Sequence, residues 1–206
     1  MNAPALRTML GLLLLAECAP RIARGQYREP LELDEIALSG RTPESIILLW
    51  PAFSYRLARR MISKYGLPAD AGDHALIWRD NGPWKRTVVH RAPPGGGVLQ
   101  RNRGRLEQSV AYKVPAAKLD ALARFDKDLA ADEKEGLLTA RSDDESLNFL
   151  SLNLADEVLR GQRTPRDADA FRKNVLRLRD SGKTSRYLEG LLFYPGGRPM
   201  NPESPE

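Results

Sequence analysis

The chain has 206 residues, of which 42% are hydrophobic and 29% charged, and its formal net charge is +5. This length and apolar fraction are enough to bury a core in one domain of ordinary size, and they exclude a largely disordered chain. A positive net charge is typical of proteins that bind nucleic acid, but part of the charge lies in the N-terminal segment.

Residues 1–25 have the pattern of a secretory signal peptide. Arg7 precedes a short apolar run at residues 9–16. The small residues Ala23 and Gly25 are the third-last and last residues before the expected cleavage site. The apolar run is far shorter than the roughly 20 residues that a membrane-spanning helix needs, so no transmembrane span is predicted. We therefore expect an exported protein of the periplasm or cell envelope.

Cleavage after Gly25 would lower the net charge to +3 and remove Cys18, the only cysteine. A mature chain without thiols suits an oxidising compartment and has no cysteine nucleophile or thiolate metal site. Two alternatives stay open. Glu17, Arg21 and Arg24 are unusual near a cleavage site, so the leader could be retained. Cys18 could instead be lipidated, although a lipoprotein has a small residue where Glu17 stands.

The first predicted elements after the leader are an extended arm at residues 26–41 and a long helix. Thr42 and Pro43 are typical of a helix start, with threonine as the N-cap and proline at the first helical position. Apolar residues then follow at steps of three and four, which predicts one buried helix face. Pro51 should split this helix, and Gly66 should end it.

A β-hairpin is predicted next, because segments 75–79 and 84–90 are rich in β-branched and aromatic residues and flank Asn81 and Gly82. The length of its loop decides which side chains share a face. A loop of even length would mix apolar and charged residues, so we predict a three-residue loop ending at Pro83. This loop places four apolar residues on the face that should pack on the helices: Leu76, Trp78, Trp84 and Val88.

Three further elements follow a Pro/Gly-rich connector at residues 92–105. A strand is predicted over 106–114, and a short helix begins at Pro115. A weaker hairpin over 129–140 should turn near residues 133–136.

The C-terminal third is predicted to be helical. Ser142 and Glu145 match a capping box, which begins a helix with apolar residues almost all round. Thr164 begins a last helix that runs to about Asp180. Residues 181–206 are expected to form a loosely ordered tail. In the last helix, four residues are expected to face inward: Ala168, Phe171, Val175 and Leu178.

Taken together, these elements predict a single α+β domain over residues 42–180. Its antiparallel sheet should have about four to five strands, with helices packed on one face.

A basic region on the hairpin and the following loop is the strongest candidate for a binding surface. It comprises Lys85, Arg86, Arg91, Arg101, Arg103 and Arg105. With Trp84 beside it, this region could contact phosphates or an anionic lipid surface. The alternative is a solvated hairpin face whose charges keep the loop soluble. The candidate binding residues are Trp84, Lys85, Arg86, His90 and Arg91.

Signals for catalysis are sparse. His74 and His90 are the only histidines, and with Asp73 they could bind a metal or act as a general base. Two ligands do not close a metal site, so neither a metal nor a cofactor is predicted. Residues 181–184 match only the end of a phosphate-binding loop, because Arg177 stands where a glycine is required. No Gly-x-Ser-x-Gly motif is present.

Two segments of the chain resemble those of a known protein family. WRDNGPWKRT (residues 78–87) and NFLSLNLADE (residues 148–157) resemble an uncharacterised family of exported bacterial proteins with no assigned activity. The resemblance covers roughly residues 58–161 and implies no site residues. A helix ending at residues 65–68 before a hairpin is also similar to the layout of small envelope-assembly lipoproteins, which carries no function by itself.

The leading functional hypothesis is a non-enzymatic, exported binding or scaffolding module. Its partner would be a protein or an anionic component of the envelope, while its oligomeric state is not predicted. One alternative is a hydrolase with a dispersed site near His90. A second is a cytoplasmic nucleic-acid-binding protein, which requires that the leader be retained.

Overall fold

A computed structural model describes residues 41–92 and 105–196 of the chain. The expected signal peptide and nearly all of the extended arm lie outside the described residues. So do the connector residues Arg101 and Arg103 and the last ten residues of the tail.

Six strands form one antiparallel sheet: β1 (Asp70–Ala71), β2 (Ala75–Asn81), β3 (Trp84–His90), β4 (Leu106–Ala111), β5 (Leu129–Asp132) and β6 (Leu137–Ser142). Their order across the sheet is β1-β2-β3-β4-β6-β5. The α+β class is therefore confirmed, with six strands where four to five were predicted. The additional strand is β1, a two-residue edge strand that is too short to show any periodicity.

The described helices are α1 (Pro43–Ile47), α2 (Ala52–Tyr65), α3 (Leu119–Phe125), α4 (Glu145–Leu159), α5 (Pro165–Asp180) and α6 (Arg186–Glu189), and a short 3-10 helix (Ala116–Lys118) leads into α3. Helices α2 and α4 pack on one face of the sheet, called the helix face below. Helices α3, α5 and α6 pack on α4. None of the described helices covers the opposite face, called the outer face.

The helix boundaries follow the local signals in the sequence. The Thr42 hydroxyl accepts a hydrogen bond from the Ser45 amide at 3.3 Å, and Thr164 caps α5 in the same way. Pro51 separates α1 from α2, as predicted. Gly66, with a φ of 78°, ends α2.

The core consists of two apolar clusters that meet at Tyr65. The first joins α1 and α2 to β2, β3 and β4 through Ile46, Ile47, Trp50, Leu57, Met61, Leu76, Trp78, Val89 and Leu106. The second joins the other helices to β4, β5 and β6, with Trp84, Leu122, Phe125, Leu138, Phe149, Leu150 and Leu154 among its members. Because Tyr65 packs against both clusters, it links the two halves of the core.

The predicted register of the hairpin is wrong. Asn81 pairs with Trp84, so the loop is the two-residue Gly82-Pro83. Gly82 has a φ of 62°, the sign that the first loop position of a type II′ turn requires. Pro83 occupies the second position, where φ is negative and a proline fits.

A left-handed residue explains how both tryptophans still reach the helix face with an even loop. Asp80 has a φ of 48°, and this left-handed residue interrupts the strict alternation of side chains, although the pairing of β2 with β3 keeps the same register on either side of it. Trp78 and Trp84 are 2% and 1% exposed, as predicted for core residues. Val88, by contrast, pairs with Ile77 on the outer face. Val89 lies on the helix face, where Val88 was predicted.

The start of the C-terminal tail is docked, where a loose segment was expected. The Asn153 side chain in α4 donates to the carbonyls of Tyr187 (3.2 Å) and Gly190 (2.8 Å) and accepts from the Leu192 amide (2.7 Å). The Tyr187 ring is buried against α4 and α5. A second difference lies in α5, where Leu178 is 42% exposed although an inward orientation was predicted.

Candidate functional site

Four polar side chains gather on the outer face and form the candidate site, which we call the Glu107 cluster: Arg86, His90, Glu107 and Arg141. Strand β4 pairs with β6 so that Glu107 lies opposite Arg141, and it pairs with β3 so that Glu107 lies opposite Val88. Since side chains alternate along a strand, Arg86 and His90 flank Val88 on this same face.

The carboxylate of Glu107 lies at the centre of the cluster. Arg141 Nη2 is 2.6 Å from Oε2, Arg86 Nη2 is 3.1 Å from Oε1, and His90 Nε2 is 3.7 Å from Oε2. The Glu107 side chain is 11% exposed, whereas each arginine side chain is 39% exposed. Two partly exposed guanidinium groups thus share one buried carboxylate, and the cluster carries excess positive charge.

The cluster keeps Glu107 ionised. The pKa of Glu107 is lowered to about 2 by His90 and by the guanidinium of Arg141, against burial, which raises it. At 3.7 Å the His90 contact is too long for a hydrogen bond, so we assign the larger share to Arg141, whose contact is 2.6 Å.

Two nitrogen atoms of the cluster have unused hydrogen-bonding capacity. Arg86 Nε and His90 Nε2 are buried without a hydrogen-bond partner among the described residues. The neighbouring hydroxyls of Ser109 and Thr139 instead bond to each other at 2.8 Å. Because these two atoms are buried, a ligand with acceptor oxygens would contact the partly exposed ends of Arg86 and Arg141, where it would meet the excess positive charge.

The structure separates the predicted binding residues. Arg86 and His90 belong to the Glu107 cluster. Lys85 is exposed and forms an ion pair with Asp80 at 2.7 Å. Trp84, which the binding hypothesis would place beside the basic residues, stacks instead on Phe149 in the core, with ring centroids 4.9 Å apart.

Arg91, the fifth predicted binding residue, lies past the end of β3. Its guanidinium donates to the Leu49 carbonyl at 3.4 Å, and its backbone pairs with His74. His74 is exposed, and the residue opposite His90 is Ala75. The two histidines therefore do not form a joint site.

The sequence did not identify Glu107 and Arg141 as site residues. Their ion pair forms only because β4 pairs with β6, which brings together two residues 34 positions apart in the sequence. One signal was present. Glu107 is a charged residue within a strand whose first five residues are all buried, and a buried carboxylate requires a paired cation.

A second polar cluster, around Glu145, lies between the helix face of the sheet and the helices that pack on it. The predicted capping box is wrong, because α4 is capped by Asp144, which accepts from the Ser146 amide at 2.9 Å. The Glu145 carboxylate accepts instead from Lys64 and Tyr65 of α2, and from two side chains of the sheet. These two donors are Trp84 Nε1 at 2.8 Å and Gln108 Nε2 at 3.0 Å.

The Glu145 cluster is internally satisfied. Burial raises the pKa of Glu145, but the hydrogen bonds from Lys64, Tyr65, Gln108 and Trp84 outweigh this effect and lower it. All four donors are directed at one carboxylate, so the cluster joins α2, α4, β3 and β4. We interpret it as a structural contact.

Neither a group of metal ligands nor a complete phosphate-binding loop occurs among the described residues. The described part of the chain contains no group of three or more His, Cys, Asp or Glu side chains placed to hold a metal ion. Residues 181–184 follow helix α5 and not a strand, so the phosphate-loop motif lacks its structural context. Across residues 41–92 and 105–196, no helix is both long and apolar enough to cross a membrane.

Comparisons of the chain with models of known protein families, with curated proteins and with solved structures find no match. The resemblance carried by residues 78–87 and 148–157 therefore stays a prediction.

Proposed function

We propose that this chain is an exported, non-enzymatic binding or scaffolding module and that it binds its partner through the Glu107 cluster. The observation that carries the proposal is the pair of partly exposed arginines, Arg86 and Arg141, around one buried carboxylate. The partner that fits this arrangement presents carboxylate or phosphate oxygens, as an acidic protein surface or an anionic envelope component does.

Glu107 makes the cluster a rigid binding surface. Its carboxylate fixes both guanidinium groups, which reduces the side-chain entropy that they lose when a partner binds. The long arginine side chains also cover the buried centre of β4 while their charged ends stay accessible.

The hydrolase alternative rests on His90 and its distance of 3.7 Å from Glu107. A histidine beside a carboxylate can act as a general base, but the reaction also needs a nucleophile or a metal-bound water. Ser109 is the hydroxyl nearest in β4, and it is committed to Thr139. The nucleic-acid alternative would need more cations on the outer face than Arg79, Arg86 and Arg141 provide, since Arg79 is already paired with Asp70 at 2.9 Å.

The binding test compares two arginine variants of the full chain. Arg86→Gln removes one cation from the cluster and leaves Glu107 paired with Arg141. Arg177→Gln removes the same charge from the exposed surface of α5 and is the matched control. With extracts of the native envelope, the first variant should retain at least about tenfold less of the partner than wild type, and the control should retain the same amount.

Equal retention by Arg86→Gln and wild type would contradict the proposed surface. Photo-crosslinking from position 130, which is exposed and pairs with Thr139 beside the cluster, then identifies what is bound. A product that is lost in Arg86→Gln supports the proposal, and a product that persists in that variant contradicts it.

Export is tested separately. N-terminal sequencing of the protein made in its host should give Gln26 as the first residue. An intact Met1 would contradict cleavage and would favour the cytoplasmic alternative.

A further inference from the structure

The turn between α1 and α2 exposes a continuous apolar surface, which we call the apolar turn: Leu48, Leu49, Pro51, Ala52 and Phe53. Leu48 is 69% exposed, Leu49 is 64% exposed and Phe53 is 37% exposed. Single exposed leucines are ordinary, but five exposed apolar residues within six positions need a physical reason.

Cations surround the apolar turn. The Arg91 guanidinium lies 3.4 Å from the Leu49 carbonyl. The Arg105 guanidinium lies 4.8 Å above the Phe53 ring, but its side chain is only 14% exposed and lies 3.9 Å from Asp143. Arg56, three residues after Phe53 on α2, is also exposed. Among the described residues, no carboxylate lies within ion-pair distance of Arg91.

We propose that the apolar turn inserts into the surface of an anionic lipid bilayer, with Arg56 and Arg91 at the level of the lipid headgroups. Shallow insertion of leucine and phenylalanine side chains removes their apolar area from water, and arginines beside them are attracted by anionic lipids. This surface is separate from the Glu107 cluster, so the proposal does not depend on the proposed function.

The size of the apolar turn favours a bilayer over a protein partner. A stable protein interface buries on the order of 1,000 Å² or more, which a turn of six residues does not supply by itself. A bilayer needs only a few apolar side chains with adjacent cations to bind reversibly.

The test uses the full chain and the intrinsic fluorescence of Trp50, which stands between Leu49 and Pro51 of the apolar turn although its own side chain is buried. The chain has three tryptophans, and the other two, Trp78 and Trp84, lie in β2 and β3. Vesicles of phosphatidylglycerol and phosphatidylethanolamine with brominated acyl chains should quench Trp50. Brominated phosphatidylcholine vesicles should quench it much less, and added salt should reduce the quenching by the anionic vesicles. Since residues 1–40 contain no tryptophan, binding through the leader alone gives no such signal.

Variants make the test specific. Leu48→Ser/Leu49→Ser should lower the partition coefficient on anionic vesicles at least about tenfold, because two apolar side chains no longer insert. Arg91→Gln should lower it about fivefold. Leu67→Ser is the matched control, since Leu67 is 65% exposed but follows the opposite end of α2. It should bind like wild type.

Three results would overturn the proposal. The first is Trp50 quenching that the double serine variant leaves unchanged while circular dichroism shows that it is folded. The second is equal binding to phosphatidylcholine. The third is a wild-type dimer in sedimentation experiments that the double variant dissociates, which would assign the apolar turn to a second copy of the chain.

Discussion

At the scale of single residues, Glu145 is the side chain with the most hydrogen-bond donors directed at it. Its carboxylate accepts from Tyr65, Trp84 and Gln108, which come from three different elements, and it also contacts Lys64. Loss of this acceptor would leave the buried Gln108 Nε2 without its partner and Trp84 Nε1 with only the longer 3.2 Å bond to the Tyr65 hydroxyl. Buried donors that lose a partner are costly.

Glu145→Gln should therefore destabilise the fold by about 1–3 kcal/mol. The amide oxygen can take the place of Oε1 and accept from Tyr65, Trp84 and Gln108, but these bonds lose the negative charge and the amide nitrogen then faces the Lys64 ammonium, which is itself a donor. Urea unfolding at neutral pH measures the change. Glu133→Gln, in the exposed turn between β5 and β6, is the control and should change stability by less than about 0.5 kcal/mol. A Glu145→Gln variant as stable as this control would show that the cluster contributes little.

At the scale of elements, the hairpin of β2 and β3 depends on two residues with positive φ. Asp80 interrupts the alternation of β2, and Gly82 opens the two-residue loop. A Cβ atom on Gly82 would lie 3.2 Å from Tyr65 Cε1, the ring that links the two halves of the core. The turn is thus packed on α2 and is not a free loop.

Gly82→Ala tests this packing against Gly136→Ala. Gly136 has nearly the same φ, 64°, but a Cβ there would meet nothing within 4 Å. We expect about 1 kcal/mol of destabilisation at Gly136 from the backbone strain alone. Gly82→Ala should cost about 1 kcal/mol more, because Tyr65 must also move. Thermal unfolding would measure both, and equal losses would mean that the hairpin turn is loosely packed.

At the scale of the whole molecule, acid should unfold this protein through its buried carboxylates. The pKa of Glu107 is lowered to about 2, and that of Glu145 is also lowered. The unfolded chain therefore binds more protons than the folded chain at acidic pH. Their contribution to stability is present above the unfolded-state pKa of about 4.5 and is lost as the pH falls toward 2.

For Glu107 this contribution is about 3 kcal/mol. A series of urea unfolding experiments at decreasing pH should show a steep loss of stability for wild type. Glu107→Gln should be less stable at neutral pH and show a shallower loss, because its side chain does not titrate. Parallel curves for the two proteins would contradict the ion-pair geometry around Glu107.

The helix boundaries, the existence of both hairpins and the α+β class were predictable from the sequence, because their signals are local. Thr42, Pro51 and Thr164 act on backbone groups within a few residues, so their effects do not depend on the rest of the fold. Apolar periodicity likewise predicts which side of a helix is buried, as at Leu57 and Met61 of α2.

The candidate site was only half predictable. The sequence singled out Arg86 and His90 on one strand, but the carboxylate that organises them comes from β4, and the second arginine, Arg141, comes from β6. The same holds for Glu145, whose partners lie on other elements. Polar contacts of this kind depend on strand register, and register is a property of the assembled sheet.

By itself, then, the sequence determined where the main helices and hairpins begin and end. Tertiary structure alone decided the two-residue hairpin loop, the edge strand β1, the docking of the tail on Asn153 and both carboxylate clusters. The physical reason is the range of the interactions. Helix capping and apolar periodicity involve residues that are close together in the sequence. The energy of a buried charge instead depends on whichever cations and donors the completed fold brings to it.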